Sequence, residues 1–361
     1  MRSRFLVLPV VLSLLVSACS ASTAPAPTAT RAAAPTSAAA PQKAEAPAKA
    51  EAPAKAAAPA KSATIRHGQI GTTAGAWDIY VGIEKGFFTA EGITMDLIFM
   101  RSNAEVIQAI VGGSLEAGGP TPDAVINAIG KGAEISIVAG QFNRIVYSLM
   151  GGPQTKTVAD LKGKTLGVSS IKDGSTFLLK RMLAAKGLGE KDYDLVQVGG
   201  TPDRLAALKG GAVAAVMLTQ PQDFQSVEEG FNRLMLSTDV VRDFQFNVIT
   251  VKRDWAKANS DVLVRYLRGL SNSARWLYDP KNRAEVLQIL IKYTKAQPKH
   301  AEMTYDLFLG PTQVMSREGE INMEGMKTVI DIMGETGDLQ KPLPTPDKFI
   351  DLTYYQKAVQ K

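Results

Sequence analysis

The sequence predicts an α/β fold of about two domains that ends in a helical third, and three observations carry the prediction. Residues 63–361 are long enough for two domains of ordinary size. Through them, short β-branched runs alternate with longer amphipathic ones, as expected of strands and helices that share layers. Beyond Arg253 the strand signals largely stop while helical spacing continues.

The chain begins with Arg2 and Arg4, then an apolar run from Phe5 to Val16 that ends at Val16-Ser17-Ala18-Cys19. A basic start, an apolar run too short to cross a bilayer, and small residues before a cysteine predict a secretory leader over residues 1–19 with a lipobox-like end. Cys19 is the single cysteine. It excludes an intrachain disulfide and a cysteine-based metal site, and it stands where a diacylglycerol or palmitoyl anchor would be attached. Residues 20–62 are almost entirely Ala, Pro, Thr, Ser, Lys and Glu, and hold little apolar bulk to offset the entropy of ordering. Lys43, Lys49, Lys55 and Lys61 recur in step with Pro41, Pro47, Pro53 and Pro59, so a disordered, PPII-like tether is expected, with a reach of about 130 Å if extended.

The net charge of +6 belongs to this leader and tether, because residues 1–62 hold seven Lys/Arg and two Asp/Glu, leaving 34 basic against 33 acidic residues in the rest. A nearly neutral folded part gives no footprint for nucleic acid, and none is expected as a partner.

Strands are expected at 64–70, 94–100, 135–139, 165–168, 193–198, 214–218 and 246–251, and helices at 260–277, 280–294 and 323–334. Two strand-to-helix junctions are nearly the same sequence: Ala117-Gly118-Gly119-Pro120-Thr121-Pro122-Asp123 and Val198-Gly199-Gly200-Thr201-Pro202-Asp203. In each, glycines allow a tight exit, Thr suits the N-cap, Pro the first helical position, and Asp the positive helix end. Such junctions serve equally as plain helix starts or as ligand contacts. Ligands of open α/β sheets lie beyond the carboxyl ends of strands, which is where both would fall.

The run Gly82-Ile83-Glu84-Lys85-Gly86-Phe87-Phe88-Thr89-Ala90-Glu91-Gly92-Ile93 resembles the SsuA/THI5-like (NMT1-like) solute-binding proteins of ABC importers for sulfonates, nitrate and thiamine-precursor pyrimidines. Leu115 to Gly119 with Lys131-Gly132, Val158 to Val168, Gly210 to Ala215 with Pro221, and Val251 to Trp255 with Asn259 continue the resemblance in the same order, over residues 64 to about 295. It implies a two-lobed type II periplasmic binding protein, a Venus-flytrap fold with a helical C-terminal tail, in which lobes joined by two crossovers close on a solute. Lobe 1 is then expected at 63–144 and 248–361, and lobe 2 at 145–247. The implied partners are a small solute (a sulfonate, a carboxylate or a pyrimidine-like compound), an ABC permease with its ATPase, and a membrane reached through lipidated Cys19. A monomer is expected, on the periplasmic or extracellular face. The alternatives are a sensory or adaptor lipoprotein and an enzyme of thiamine-pyrimidine precursor synthesis.

Strand ends on that fold nominate ligand contacts. From lobe 1 these are Thr72, Thr73, Trp77, Arg101, Thr121 and Asn143; from lobe 2, Ser169, Ser170, Ser175, Thr176, Thr201 and Gln220. Trp77 offers a face for stacking or else packs at the lobe surface. Arg101 offers a fork of donors for a carboxylate or sulfonate or else lies solvated at the surface. Ser175 and Thr176 begin a helix, as anion donors or simple caps. Asp123 and Asp203 already occupy positive helix ends, which argues against a phosphate.

No enzyme, cofactor or metal is expected. Gly163-Lys164-Thr165 fails as a P-loop because Val158 stands where the first glycine should be and the segment enters a strand. His67 and His300 are the only histidines, with no H-E-x-x-H and no G-x-S-x-G. The eukaryotic precursor-synthesising relatives use a cysteine-rich motif that a chain with only Cys19 cannot supply.

Overall fold

The computed structural model describes residues 62–360; the leader, Cys19 and residues 20–61 of the expected tether lie outside them. The strands are β1 (Ala63–Ile70), β2 (Ile93–Met100), β3 (Ala117–Gly118), β4 (Ile135–Phe142), β5 (Ser148–Gly151), β6 (Lys164–Val168), β7 (Tyr193–Gln197), β8 (Ala215–Leu218), β9 (Asn232–Leu236) and β10 (Asn247–Lys252). They form two five-stranded sheets, ordered β2-β1-β3-β10-β4 and β7-β6-β8-β5-β9. In the first, β1 runs parallel to β2 and β3 while β10 is antiparallel to β3 and β4. In the second, β6 runs parallel to β7 and β8 while β5 is antiparallel to β8 and β9. Each sheet therefore has a switch point, at β1 and at β6, where consecutive strands depart to opposite sides.

Helices cover these sheets: α1 (Trp77–Glu84), α2 (Phe87–Ala90), α3 (Asn103–Gly112) and α4 (Pro122–Gly130) with the first, and α5 (Gly174–Ala184), α6 (Thr201–Lys209) and α7 (Gln222–Glu228) with the second. The last third is helical: α8 (Arg253–Ala258), α9 (Ser260–Tyr278), α10 (Arg283–Thr294), α11 (Pro298–Leu309), α12 (Met323–Glu335) and α13 (Thr353–Val359). In α9, Leu263, Tyr266, Leu267, Leu270, Ala274 and Leu277 recur at helical spacing and are buried. That stripe packs on α1 and α2, where Gly82 leaves room because a Cβ there would meet Ser273 Oγ at 2.5 Å. Among the described residues, no helix is long and apolar enough to cross a membrane.

Every expected strand is present within a few residues, but strands β3, β5 and β9 and, in the last third, helices α8, α11 and α13 are additional. β3 is only two residues long, and its Gly118 lets the strand approach α3, since a Cβ there would lie 2.6 Å from Val106 Cγ1. β5 is buried at every position, so it shows no alternation. The expected helix at 280–294 divides into a 3₁₀ turn (Pro280–Asn282) and α10. His67 sits wholly inside, with Nδ1 3.0 Å from the Tyr266 hydroxyl. Burial pushes it down to about 4, so it is a neutral core residue.

Candidate functional site

The carboxyl ends of β1, β3, β6, β7 and β8 converge on a small cavity of about 40 Å³ between the two sheets. Gln69, Ile70 and Thr73 reach it from the end of β1, Thr121 from β3, Ser169, Asp173 and Ser175 from β6, Thr201 and Arg204 from α6, and Thr219 from β8. Asn103 and Asn247 complete its polar wall. Three rings come from the crossover segments: Phe142 ends β4, while Tyr147 and Phe246 lie between the sheets' strands. Phe246 stacks on Phe142 at 6.4 Å and meets Tyr147 edge-on at 5.3 Å, so the links between lobes also form an aromatic wall.

The lobes are drawn together across this cavity. Asn103 Nδ2 donates to Asp173 Oδ2 at 3.4 Å, Ala74 N to Gln220 O at 3.1 Å, and Gln222 Nε2 to Thr72 O at 3.0 Å. At the rim Arg101 lies 3.9 Å from Asp203, and His300 Nε2 lies 2.9 Å from Glu228 Oε2 without hydrogen-bond geometry.

Asp173 caps α5 by accepting from Thr176 N at 3.0 Å. It also accepts from Ser175 Oγ at 2.8 Å, from Ser169 Oγ, and from Asn103 of the other lobe. Arg204 is 2 % exposed. Its Nε donates to Met217 O at 2.8 Å, Nη1 to Gly199 O at 2.6 Å and Nη2 to Thr201 Oγ1 at 3.1 Å, and the guanidinium lies 5.9 Å from the Tyr147 ring centre. Thr201 Oγ1 is also 3.1 Å from Thr219 Oγ1. Thr121 Oγ1 and both carboxylate oxygens of Asp123 are buried without a well-formed hydrogen bond, although the Thr121 hydroxyl and the Gly174 backbone face the carboxyl. Burial, with the charge of Asp173 across the interlobe seam, pushes Asp123 up to about 7. Asp78, behind the cavity, accepts from Gln141 Nε2 at 3.0 Å and is pushed up to about 6 by its burial.

Of the twelve residues nominated from sequence, Thr73, Thr121, Ser169, Ser175 and Thr201 line the cavity. The other seven do not. Trp77 opens α1 facing inward, fully buried, with Nε1 donating to Val286 O at 3.1 Å; it is a packing residue. Arg101 is a surface residue paired across the rim. Asn143 donates to Glu320 Oε1 at 3.2 Å, on a different face. Thr72 contributes its carbonyl to Gln222, and Thr176 Oγ1 donates to Ser170 O at 2.6 Å, so these three hold loops in place. Gln220 is buried, donating to Asp223 at 2.9 Å; its neighbour Thr219 faces the cavity instead, because successive side chains leaving a strand point to opposite sides.

The polar residues missed are Gln69, Asn103, Asp173, Arg204, Thr219 and Asn247; Ile70, Gly75 and the three rings were missed as well. For Arg204 a signal was present: it follows Thr201 by three residues, which puts both on one face of a helix. The expected caps differ as well. Thr121 stands at the N-cap of α4 but makes no side-chain cap bond, while Gly200 takes the N-cap of α6 and Thr201 lies inside the helix. Both hydroxyls are thereby left for the cavity.

Comparison with known proteins accords with this architecture. A region of the bicarbonate transport ATP-binding protein CmpC of Synechocystis sp. is 24% identical over 235 residues, covering 59% of this chain and 35% of that protein. The formylaminopyrimidine-binding protein of Halalkalibacterium halodurans is 23% identical over 222 residues, covering 59% of this chain and 65% of that one. The chain thus spans about a third of the first relative and under two thirds of the second. Among solved structures, the alkanesulfonate-binding protein SsuA of Xanthomonas axonopodis pv. citri, bound to MOPS, superposes with a TM-score of 0.62 at 18% identity, over 84% of this chain and 96% of that one. The sequence model of the NMT1/THI5 like family matches residues 75–284, more than half the length, and the chain belongs to that family.

Proposed function

We propose that this protein is the extracytoplasmic solute-binding component of an ABC importer, which captures a small organic solute between its lobes and delivers it to a membrane permease and the associated ATPase. The observation that carries this reading is the convergence of two sheet switch points on one cavity, with polar side chains from both lobes and a closed seam between them. The names of its relatives and neighbours, which bind alkanesulfonate or formylaminopyrimidine or serve bicarbonate transport, support the same role. Lobe 1 comprises 63–144 and 248–361 and lobe 2 145–247, and hinge motion at the crossovers admits the solute. Cys19 carries the lipid, the Ala/Pro-rich segment gives the lobes reach above the membrane, and one copy suffices for binding. No bond of the solute is made or broken: the cavity wall offers hydroxyls, amides and rings that hold a ligand.

A ligand that binds only the folded state raises the melting temperature by mass action. Solute released from freshly purified protein, identified by mass spectrometry and added back to stripped protein, is expected to raise it saturably. A broad panel of sulfonates, carboxylates and pyrimidines that leaves the melting temperature of stripped protein unmoved, with no solute recovered, counts against the reading. Chemical conversion of the bound solute would point to an enzyme instead.

A further inference from the structure

We propose that the seam between the lobes is a proton-operated latch: the lobes close most firmly when Asp123 of lobe 1, which closure presses against Asp173 and the start of α5 in lobe 2, carries a proton. The inference rests on the solute-binding reading, in which the lobes part and meet, and adds a regulation to it.

The geometry sets two carboxyl groups against one seam. Asp123, in the first turn of α4, is 1 % exposed, and neither of its oxygens has a well-formed hydrogen bond. A Cβ on Gly174 would lie 2.6 Å from Asp123 Oδ1, so glycine at the first position of α5 is what allows the close approach. Asp173, one residue earlier and also buried, is fully engaged: it accepts from Ser169 Oγ, from Ser175 Oγ at 2.8 Å, from Thr176 N at 3.0 Å and from Asn103 Nδ2 at 3.4 Å. The donors of the seam thus converge on Asp173 and leave Asp123 without a strong one. A buried carboxylate in that position, with a second carboxyl opposite, is strongly disfavoured, whereas a carboxylic acid is not. Parting the lobes withdraws α5 and returns Asp123 to water, which solvates the charge. Closure therefore takes up a proton, and by reciprocity a proton favours closure. Burial, and after it the charge of Asp173, hold Asp123 at about 7 against an ordinary 3.8.

Among the described residues no cation neutralises Asp123. Of the elements packed on α4, α3 carries Glu105, whose Oε2 accepts from Arg101 N at 2.9 Å. Helix α12 carries Glu324 and Lys327, paired at 2.6 Å, exposed Asp331, and Glu335, paired with Arg181 of α5 at 3.1 Å. Strand β4 has no charged residue, and β10 has only Lys252, at its end away from Asp123. Lys131, Lys172, Arg242 and Asp243 are exposed.

Other shifted acids stay within one lobe. Asp78 accepts from Gln141 and from Ile79 N, and Asp223 from Ser148, Gln220 and Arg233. His300, 2.9 Å from Glu228 of the other lobe, is held below its ordinary value by burial and by Lys299. A falling pH therefore opposes closure there, opposite in sign to Asp123.

The proton itself is the probe. Stripped protein with Cys19 replaced by Ser would carry spin labels at Gln108→Cys on α3 and Ala206→Cys on α6, both exposed positions. The distance between them would be followed from pH 8 to about pH 4.5 while circular dichroism confirms the fold. The ratio of closed to open molecules is expected to rise as the pH falls below about 7, by up to about tenfold per pH unit, the change set by uptake of one proton. Asp123→Asn, a neutral mimic of the protonated acid, should be more closed than the Asp123 protein at pH 8 and should not close further on acidification. A distance indifferent to pH in the Asp123 protein overturns the inference, as does closing on acidification that survives in folded Asp123→Asn. If the solute recovered from the protein still shortens the distance, the solute-binding reading stands without the latch. A distance that answers neither to the proton nor to the recovered solute counts against both.

Discussion

The junctions before α4 and α6 begin with nearly the same residues, Gly-Gly-Pro-Thr-Pro-Asp and Gly-Gly-Thr-Pro-Asp, yet the two acids and two threonines end in different chemical states. Asp123 is 1 % exposed with no well-formed hydrogen bond on either oxygen, and it faces the other lobe so closely that a Cβ on Gly174 would lie 2.6 Å from its Oδ1. Asp203 has a half-exposed side chain, 3.9 Å from Arg101. Thr121 Oγ1 has no well-formed hydrogen bond, whereas Thr201 Oγ1 bonds Thr219 and Arg204. Nearly the same local sequence starts two helices, one residue apart in cap register, and the surface each helix start met decided what its side chains do. The lobe 1 junction is pressed into the interlobe seam and remains unsatisfied there, while the lobe 2 junction faces water on one side and the cavity on the other.

The sharpest way to break this contrast is to remove the charge at each acid. Asp123 binds its proton more strongly in the folded protein, at about 7 against an ordinary 3.8. Its contribution to stability is therefore fully present below about 4 and lost as the pH rises through about 7. Asp123→Asn should stabilise the protein by roughly 2–4 kcal/mol at pH 8 and change little at pH 4, as read from denaturant unfolding. His67 acts in the opposite sense: its folded value is lowered to about 4, so its contribution is lost as the pH falls from about 6.5 through 4. The Asp123→Asn difference between the two pH values isolates the carboxylate from that background. Equal effects at pH 4 and pH 8 would show that Asp123 is not the strained partner in this comparison.

A smaller effect separates the threonines. Thr201→Val removes a hydroxyl that bonds Arg204, and should weaken binding of the recovered solute by about 1–2 kcal/mol. Thr121→Val removes a buried hydroxyl that faces the Asp123 carboxyl without a well-formed hydrogen bond, and should shift stability by less than about 1 kcal/mol. Reversed results would exchange the roles assigned to the two junctions. The smallest effect belongs to Asp203→Asn, which disturbs only an exposed pair with Arg101 and should shift stability by less than about 0.5 kcal/mol.

The same contrast explains what could be read from the chain. Apolar runs such as Ile135 to Ala139 and amphipathic spacing such as that of α9 report on their own immediate packing, so strands, helices and the α/β class were legible, while the two-lobed arrangement was implied by the family resemblance. The five nominated residues that reach the cavity sit on the loops and first helical turns that follow strand ends, where topology places them. The two roles left open for Trp77 could not be separated from sequence because its partner, Val286 O, is more than two hundred residues away. Asn103 was overlooked because its tie to Asp173 forms only when the lobes meet. Beyond its helical spacing from Thr201, Arg204 reads locally as an ordinary arginine in Thr201-Pro202-Asp203-Arg204-Leu205, and the approach of Met217 O from β8 and of Tyr147 makes it a buried cation in a cavity wall.

The central claim is that two lobes close on a solute held between these junctions. The most direct measurement is the distance between spin labels at Gln108→Cys on α3 and Lys172→Cys before α5, both exposed positions near the rim, with Cys19 replaced by Ser. Stripped protein is expected to show a broad or longer distance that shortens and sharpens, saturably, as the recovered solute is added. A distance distribution that stays the same from stripped to saturated protein would contradict closure on a ligand.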